Sequence, residues 1–305
     1  MILHEHDKYN GSLRAHKSFF AFGNRIICLG SGLENSLPGS ELHTTLFQNT
    51  IDANHPTTVG GISHNELNYK AEISAPMTTV QDRFANTWFV KNADVRISRG
   101  EQNSLHEETD APTKGTFEKA YIYHWATDSL GHSTKGRDSY EYMAVVHCSP
   151  TELASYGKEL PYKVISSTNS LHAVVDLPSG TVAAAVFEPT QVDEMVKYAS
   201  ACMLMYDVKG PVMTLSVSNP DLALYSGPSD EIYKDGKRVE RSIYGRKWVD
   251  NDCGETYVTI KLPGIWKITD NSGSNVEISN DGTLTSLVFK TGEARTEEIK
   301  LERVQ

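Results

Sequence analysis

The chain has 305 residues, enough for two domains of ordinary size, and its 39% hydrophobic and 22% charged residues are typical of a folded globular protein. Its net charge of −10 argues against nucleic acid as a partner and more mildly against a polyanionic sugar, although a local basic groove can override the overall field. No apolar run approaches a membrane span, and the first ten residues, MILHEHDKYN, lack the basic and apolar regions of a signal peptide.

The first sixteen residues are polar and rich in histidine. His4 and His6 would lie on the same face of a strand, because side chains alternate with period two. That spacing supplies half of a metal site, but no third ligand is evident, and a solvated edge strand is the favoured interpretation.

A β-hairpin that presents a polar loop is predicted next. Two apolar runs, Ser18 to Phe22 and Ile26 to Leu29, flank the turn pair Gly23-Asn24, which is a strong hairpin signal. A polar loop follows from Glu34 to Ser40, and Thr44 to Gln48 (TTLFQ) returns to β-forming residues. A loop held by a stiff β scaffold is a common setting for a binding or catalytic site.

Short strands between polar turns are predicted from Ile51 to Ala111. Trp88 lies in one of these strands (ANTWFV); an exposed Trp offers an apolar face to a pyranose ring, whereas a Trp within a strand is more often a core residue. Both interpretations stay open, and Trp88 is kept as a candidate substrate-binding residue. The charged stretch from Gly100 to Gly115 predicts a long loop.

Two strongly β segments, Thr116 to Trp125 and Tyr140 to His147, enclose a polar stretch that carries Lys135 and Arg137. A connection of this length is either a disordered hairpin end or a loop that reaches toward a ligand. In the second case Lys135 and Arg137 would contact an anionic substrate.

A single short helix is predicted from Pro150 to Gly157, with Thr151 as N-cap and Gly157 as the stop. Val192 to Met205 is predicted as a short helix running into a strand. Beyond Pro211 the strands recur at sandwich-like spacing. A basic run there, more often a solvated face than a ligand contact, comprises Lys234, Lys237, Arg238, Arg241, Arg246 and Lys247.

Helical periodicity is scarce, so the predicted fold class is all-β: a large antiparallel β-sandwich at residues 1–208 and a smaller β domain at residues 209–305. Four cysteines without a CxxC pair or zinc-type spacing predict core residues rather than a metal site. They are Cys28, Cys148, Cys202 and Cys253.

Several segments also carry a family resemblance. They are YNGSLRAHKSFFAFGNRIICLGSGLENS (Tyr9 to Ser36), TTLFQ (Thr44 to Gln48), TKGTFEKAYIYHW (Thr113 to Trp125) and SYEYMAVVH (Ser139 to His147). In order and spacing they resemble the family-eight polysaccharide lyases, the chondroitin, hyaluronate and xanthan lyases, and most of all the chondroitin-sulfate ABC branch. The resemblance implies a galactose-mutarotase-like central β-sandwich and a smaller C-terminal β domain, without the α/α toroid of such enzymes.

The resemblance implies β-elimination at a uronic acid, in which positioned acid and base groups move a proton from C5 and to the leaving O4. A Tyr, a His and an Arg of the toroid do most of this, and a Glu of the central sandwich hydrogen-bonds into their cluster. Glu41 fits the place of that Glu, just before TTLFQ. His43 is the rival, because in the ABC branch the acidic residue directly precedes the two threonines. Glu34 and Asn35 are weaker candidates.

The first hypothesis is therefore the β-domain portion of a glycosaminoglycan lyase that lacks the full catalytic site when alone. It expects a glycosaminoglycan and a separately encoded toroid as partners, and a secreted or periplasmic parent enzyme. The alternative is a non-catalytic glycan-binding sandwich, and a third hypothesis is a self-contained enzyme using His4, His6, Glu41 and His43. No cofactor is established; calcium or magnesium stays open. Neither nucleic acid nor membrane is an expected partner.

Overall fold

The computed structural model describes residues 1–5, 10–51, 54–106, 109–133, 136–222, 254–304 and the backbone of 231–234 and 237–240. The chain divides into two compact units. The first unit is Ser12–Leu160 with Met1 and Leu3, and the second is Pro161–Gln305 with Ile2 and His4–Gly11. No helix among the described residues is long and apolar enough to span a bilayer.

The first sheet has ten strands: β1 (Ile2–His4), β2 (Arg14–Phe22), β3 (Arg25–Glu34), β4 (Glu41–Thr50), β5 (Thr57–Val59), β6 (Ile62–His64), β7 (Tyr69–Gln81), β8 (Thr87–Leu105), β9 (Pro112–Ala126) and β10 (Tyr140–Val145). Their order is β1-β2-β3-β10-β8-β7-β5-β6, and β4 pairs with β9, which in turn pairs with β8. The predicted all-β class is confirmed.

The β2–β3 hairpin forms as the sequence predicts. Phe22 pairs with Arg25, so Gly23 and Asn24 are the two loop residues. Gly23 has φ 61°, the left-handed value that the first central position of a type II′ turn requires. The chain then enters β4 at Glu41, three residues before the predicted TTLFQ strand.

Strand β8 joins the two layers of the first unit. Its first part, Thr87–Lys91, pairs with β10, whereas Asp94–Leu105 pairs with β9. The two layers pack through apolar side chains, as shown by Phe47 of β4 and Trp88 of β8, whose ring centroids are 4.6 Å apart. The core of this unit therefore lies between the β4–β9 layer and the β3–β10 layer.

The prediction of a long loop from Gly100 to Gly115 is wrong. Strand β8 continues to Leu105, β9 begins at Pro112, and the two pair along their length. Each strand satisfies the backbone hydrogen-bonding groups of the other, so polar side chains do not prevent pairing here. Composition alone suggested a loop because both faces of this part of the hairpin carry polar residues.

The predicted helix is confirmed as α1 (Pro150–Tyr156), with its N-cap two residues earlier than expected. Ser149, not Thr151, is the N-cap: its hydroxyl accepts from the backbone N–H of Glu152, and the Glu152 carboxylate accepts from the Ser149 N–H. This reciprocal capping box satisfies two backbone donors at the helix start. Gly157 is the C-cap, as predicted.

The second unit is a β-sandwich. Its strands are β11 (Tyr162–Ser167), β12 (Leu171–Asp176), β13 (Val182–Val186), β14 (Tyr198–Ala199), β15 (Cys202–Lys209), β16 (Val212–Ser218), β17 (Glu231–Lys234), β18 (Lys237–Glu240), β19 (Thr256–Pro263), β20 (Ile265–Asp270), β21 (Val276–Asn280), β22 (Leu284–Thr291) and β23 (Thr296–Val304). A seven-stranded sheet, β11-β12-β13-β15-β16-β23-β20, and a four-stranded sheet, β14-β19-β22-β21, share one apolar core. Strands β17 and β18 form a separate pair.

The division between the units falls between Leu160 and Pro161, whereas the sequence placed a boundary at 208/209. The latter position lies within the β15–β16 hairpin, where Lys209 pairs with Val212. Cutting there would split two neighbouring strands of one sheet. The helix expected within Val192 to Met205 is also absent from this described segment, which contains β14 and the start of β15.

Candidate active-site face on strands β4, β9 and β8

Glu41 and His43 form a hydrogen-bonded pair. Both lie on the outward face of β4, because alternate residues of a strand share a face. The His43 Nε2 atom is 2.7 Å from Glu41 Oε2, and both side chains are partly exposed, at 31% and 45%. The two residues that the sequence treated as rivals are therefore one unit, called here the Glu41–His43 dyad.

Arg96 of β8 contacts the dyad and a second glutamate. Its Nη1 is 3.5 Å from Glu41 Oε1, and its Nε is 3.3 Å from Glu72 Oε1 on β7. Its guanidinium lies 3.6 Å from the centroid of the Tyr123 ring. Although burial alone would lower the pKa of Arg96, a hydrogen bond to Tyr121 and the charges of Glu72 and Glu41 raise it.

The ring of Tyr121 on β9 contacts both His43 of the dyad and Lys119. It stacks on the His43 imidazole with centroids 4.2 Å apart, and the Lys119 ammonium lies 5.5 Å from the same ring centroid. We call the outward surface formed by Glu41, His43, Glu72, Arg96, Lys119, Tyr121 and Tyr123 the dyad face.

The dyad face can transfer a proton and bind an anion. Because Glu41 only accepts when ionised, His43 donates Nε2–H to it, which leaves the lone pair of the neutral ring on Nδ1. A carboxylate that orients an imidazole in this way is a common means of preparing a general base. The protonated ring would instead attract a carboxylate or sulfate.

The opposite face of the same layer is buried. His124 of β9 accepts from the Thr44 hydroxyl at Nε2 (2.8 Å) and donates Nδ1–H to the Arg137 carbonyl (3.2 Å). The carbonyl can only accept, so the proton of the neutral ring is on Nδ1. Burial lowers the pKa of His124 to about 4, partly offset by the bond to Arg137.

Arg99 and Glu118 form an ion pair inside the first unit. They lie opposite each other on β8 and β9, with Nη1 and Oε2 2.8 Å apart and both side chains fully buried. Thr57 accepts from Arg99 Nη1 (2.9 Å) and donates to Glu118. Asn49 Nδ2 is 3.4 Å from Glu118 Oε1. Arg99 Nε and Nη2 are buried without a hydrogen-bond partner among the described atoms.

Trp88 belongs to the core, which corrects its candidacy as a sugar-stacking residue. Its side chain packs against Phe47, and the residue is only 8% exposed, so it presents no free ring face to a pyranose. The ring is covered because β4 packs on β8, a contact between segments far apart in the chain.

The described part of the loop after β9 folds back onto β9 rather than extending outward. Gly136 passes so close to β9 that an added Cβ would lie 1.8 Å from the His124 carbonyl oxygen. Arg137 follows with an exposed side chain, and its carbonyl binds His124. No contact to the dyad face is recorded for Arg137 among the described residues, and Lys135 lies outside them.

Sequence reasoning missed Arg96, Tyr121 and Tyr123. The signal that could have found them is alternation: DVRIS places Arg96, and KAYIYHW places both tyrosines, on the face opposite the apolar residues. The pairing of Arg96 with Tyr121, and of Thr45 with Tyr121, then brings them beside the dyad.

No group of three or more His, Cys, Asp or Glu that could hold a metal ion occurs among the described residues. His6 lies outside them, as do Arg241, Arg246, Lys247 and Cys253. In the part of the chain that is described, Cys28, Cys148 and Cys202 are buried free thiols. Burial raises the pKa of Cys28 to about 11 and that of Cys202 to about 12.

Two family models match the chain, and they follow its two units. The super-sandwich domain of polysaccharide lyase family 8 matches residues 1–157, and the C-terminal beta-sandwich domain of the same family matches residues 163–224. The chain belongs to polysaccharide lyase family 8. The family resemblance predicted from the sequence is thereby confirmed.

Curated relatives of this family extend well beyond the chain. A chondroitin sulfate ABC exolyase of Bacteroides thetaiotaomicron is 32% identical over 99% of the chain, but the match covers 29% of that protein. A chondroitin sulfate ABC exolyase of Proteus vulgaris is 33% identical over 88% of the chain and 26% of its own length. The chain thus spans less than a third of either relative.

Solved structures of two other lyases share the fold. A Paenibacillus xanthan lyase superposes with a TM-score of 0.69 at 15% identity, over 100% of the chain and 27% of that protein. A Streptomyces coelicolor chondroitin AC lyase gives 0.62 at 17% identity, over 96% of the chain and 33% of that protein. At these identities the likeness supports the fold alone.

Proposed function

We propose that this chain is the β-sandwich portion of a glycosaminoglycan lyase and that the Glu41–His43 dyad is its contribution to the active site. The observation that carries the proposal is the 2.7 Å contact between Glu41 and His43 directly before the TTLFQ segment. The names of the curated relatives, chondroitin sulfate ABC exolyases, support this substrate class.

The reaction is a β-elimination at a uronic acid. A base takes the C5 proton, the electron pair of that bond forms the C4=C5 double bond, the C4–O4 bond breaks, and O4 receives a proton. Both transfers need positioned groups. In the proposed enzyme the toroid supplies the Tyr, His and Arg that the family resemblance implies. The dyad hydrogen-bonds into that cluster, with Glu41 in the place of the sandwich carboxylate.

Arg96 and Tyr121 fit this role for the dyad. Arg96 Nη1 lies 3.5 Å from Glu41 Oε1 and His43 Nε2 lies 2.7 Å from Glu41 Oε2, so the carboxylate is held through both of its oxygens. Stacking on Tyr121 fixes the plane of the His43 ring. The dyad is thus presented in one orientation by three adjacent strands, which a proton-transfer site requires.

The test compares this chain alone with the same chain joined to, or mixed with, an α/α toroid domain. The assay follows the ultraviolet absorbance of the unsaturated uronate formed from chondroitin sulfate. We expect little or no turnover by the chain alone and turnover in the presence of the toroid. Robust turnover by the chain alone would show that the toroid is dispensable, and no turnover in either case would contradict the lyase assignment.

The competing function is a non-catalytic glycan-binding sandwich. The observation that favours it is the partly exposed combination of Tyr121, Tyr123 and Lys119 on the dyad face, since aromatic rings and cations together suit anionic sugars. Retention of the chain on a chondroitin sulfate column at low salt, without turnover when the toroid is added, would favour this alternative.

A further inference from the structure

A row of residues that crosses the dyad face carries two lysines. Gln48 pairs with Lys119, Lys119 with Ser98, and Ser98 with Lys70, on β4, β9, β8 and β7 in turn. Lys119 shares its face with Tyr121, two residues on, and Lys70 shares its face with Glu72, which reaches Arg96. Both lysines therefore lie on the same surface as the dyad.

Lys119 of the dyad face and the neighbouring Lys70 differ from Arg96 in their ion pairing. Arg96 is shared between Glu41 and Glu72, whereas no carboxylate within ion-pair distance is recorded for Lys119 or Lys70 among the described residues. On a chain of net charge −10, a polyanion needs such local positive charge to approach. The two lysine Cα atoms are separated by two strand spacings, roughly 10 Å.

The lysine row is also connected to the dyad. Tyr121 contacts the His43 ring at 4.2 Å, and the Lys119 ammonium lies 5.5 Å from the centroid of the same Tyr121 ring. Lys119 is thus within the length of a disaccharide of His43. In a chain that alternates uronic acid and hexosamine, the sugar beside the uronate at the dyad is a hexosamine, whose anionic group is its sulfate ester.

We propose that Lys119 and Lys70 form a subsite for the sulfate ester of the hexosamine next to the uronate that is cleaved. Tyr121 is the shared platform between the dyad and this subsite. The inference rests on the proposed function for the position of the uronate, and it assigns to this chain the discrimination between sulfated and unsulfated substrate. Lys119 contributes more than Lys70 because it is the lysine linked to the dyad through Tyr121.

Binding to the chain itself tests the subsite without relying on catalysis. Defined chondroitin 4-sulfate and 6-sulfate hexasaccharides, and the fully desulfated hexasaccharide, are titrated into wild type, Lys119→Ala, Lys70→Ala and the double variant. Lys158→Ala removes one charge from an exposed position just after α1 and is the control. Lys119→Arg keeps the charge at the proposed subsite.

We expect Lys119→Ala to weaken binding of at least one sulfated hexasaccharide by about two- to fivefold at low salt, since single exposed charge pairs are worth up to about 1 kcal/mol. The double variant should lose more, Lys119→Arg should retain affinity, and Lys158→Ala should match wild type. The desulfated hexasaccharide should bind the wild type more weakly than the sulfated ones do, and its affinity should change little in any variant. Equal losses for sulfated and desulfated sugars would assign the lysines to uronate carboxylates and overturn the sulfate subsite, as would unchanged affinities.

Lyase assays of the chain with its toroid separate the two proposals. A KM that rises more for sulfated than for desulfated chondroitin in Lys119→Ala, in an enzyme that turns over both substrates, supports both. Turnover of all substrates with no effect of the lysine variants contradicts the subsite and leaves the lyase assignment standing. Sulfate-dependent binding without turnover supports the subsite as a glycan-binding element and contradicts the lyase assignment.

Discussion

The two faces of the same β layer both carry arginine–glutamate pairs and a histidine, but these residues are solvent-accessible on one face and buried on the other. Arg96 and Arg99 lie three positions apart on β8, and each pairs with a glutamate, but Arg96 is on the outward face and Arg99 is fully buried. His43 and His124 are divided in the same way between the exposed dyad and the interior. An exposed pair retains contact with solvent and can meet a substrate, whereas a buried pair holds strands together. Exposure, rather than residue type, separates the candidate site from the structural network.

The largest effect expected on the buried side is that of Arg99→Ala or Glu118→Ala. Either change leaves one unpaired buried charge, so the free energy of unfolding should fall by about 3–5 kcal/mol. Denaturant unfolding followed by tryptophan fluorescence measures it. The double replacement Arg99→Met with Glu118→Leu should cost less than either single change. Single variants within about 1 kcal/mol of wild type would contradict the structural role.

A pH-dependent loss of stability is expected from His124. Because its pKa is about 4 in the folded protein and near 6.5 when unfolded, the unfolded state binds the proton first as the pH falls. The contribution is fully present above pH 6.5 and is lost as the pH drops toward 4, by at most about 3 kcal/mol.

Denaturant unfolding at a series of pH values tests this linkage. His124→Asn, which keeps a donor near the Arg137 carbonyl, should have a flatter profile between these pH values than wild type. His4→Asn, at an exposed position of β1, is the control and should retain the wild-type profile. An unchanged slope in His124→Asn would show that other groups control acid stability.

On the exposed face, His43→Ala and Glu41→Ala should act on catalysis and not on folding. If the proposed function holds, we expect about a 100-fold loss of lyase activity in the chain joined to an α/α toroid domain, the scale of a positioned acid–base group. The free energy of unfolding should change by less than about 1 kcal/mol, because both side chains are solvent-accessible. Thr50→Ala, at the exposed end of β4, is the control. Full activity in both dyad variants would remove the dyad from the proposed site.

A smaller effect is expected from Arg96→Gln. It removes the cation beside Glu41 while leaving the dyad in place, so activity should fall by about tenfold, and Arg96→Lys should recover part of it because the charge is kept. Steady-state kinetics with unfolding measured in parallel separates this from a folding defect. If Arg96→Gln proved as destabilising as Arg99→Ala, the contrast between the two faces would fail.

Features that depend on neighbours in sequence were predictable. The Gly23-Asn24 turn, the Glu34–Ser40 loop, the β4 segment and the α1 helix each follow from residues a few positions apart. Even there, the N-cap is Ser149 rather than the predicted Thr151, because the capping box pairs Ser149 with Glu152. The place of the dyad before TTLFQ came from the family resemblance. Its internal hydrogen bond did not, since alternation on a strand brings residues to one face without fixing their contact.

The sequence by itself determined the all-β class and the family. It also marked the stretch from Glu41 to Gln48 as the one that carries the candidate site residues. Only the tertiary structure decided that Trp88 is covered by Phe47, that Glu41 and His43 are one unit, and that Arg96 and Tyr121 stand beside them. Strand pairing joins residues far apart in the chain, and the sequence pattern of each strand alone does not specify its partner or its register. Turns and caps are local, but a site assembled across β4, β9, β8 and β7 depends on that pairing.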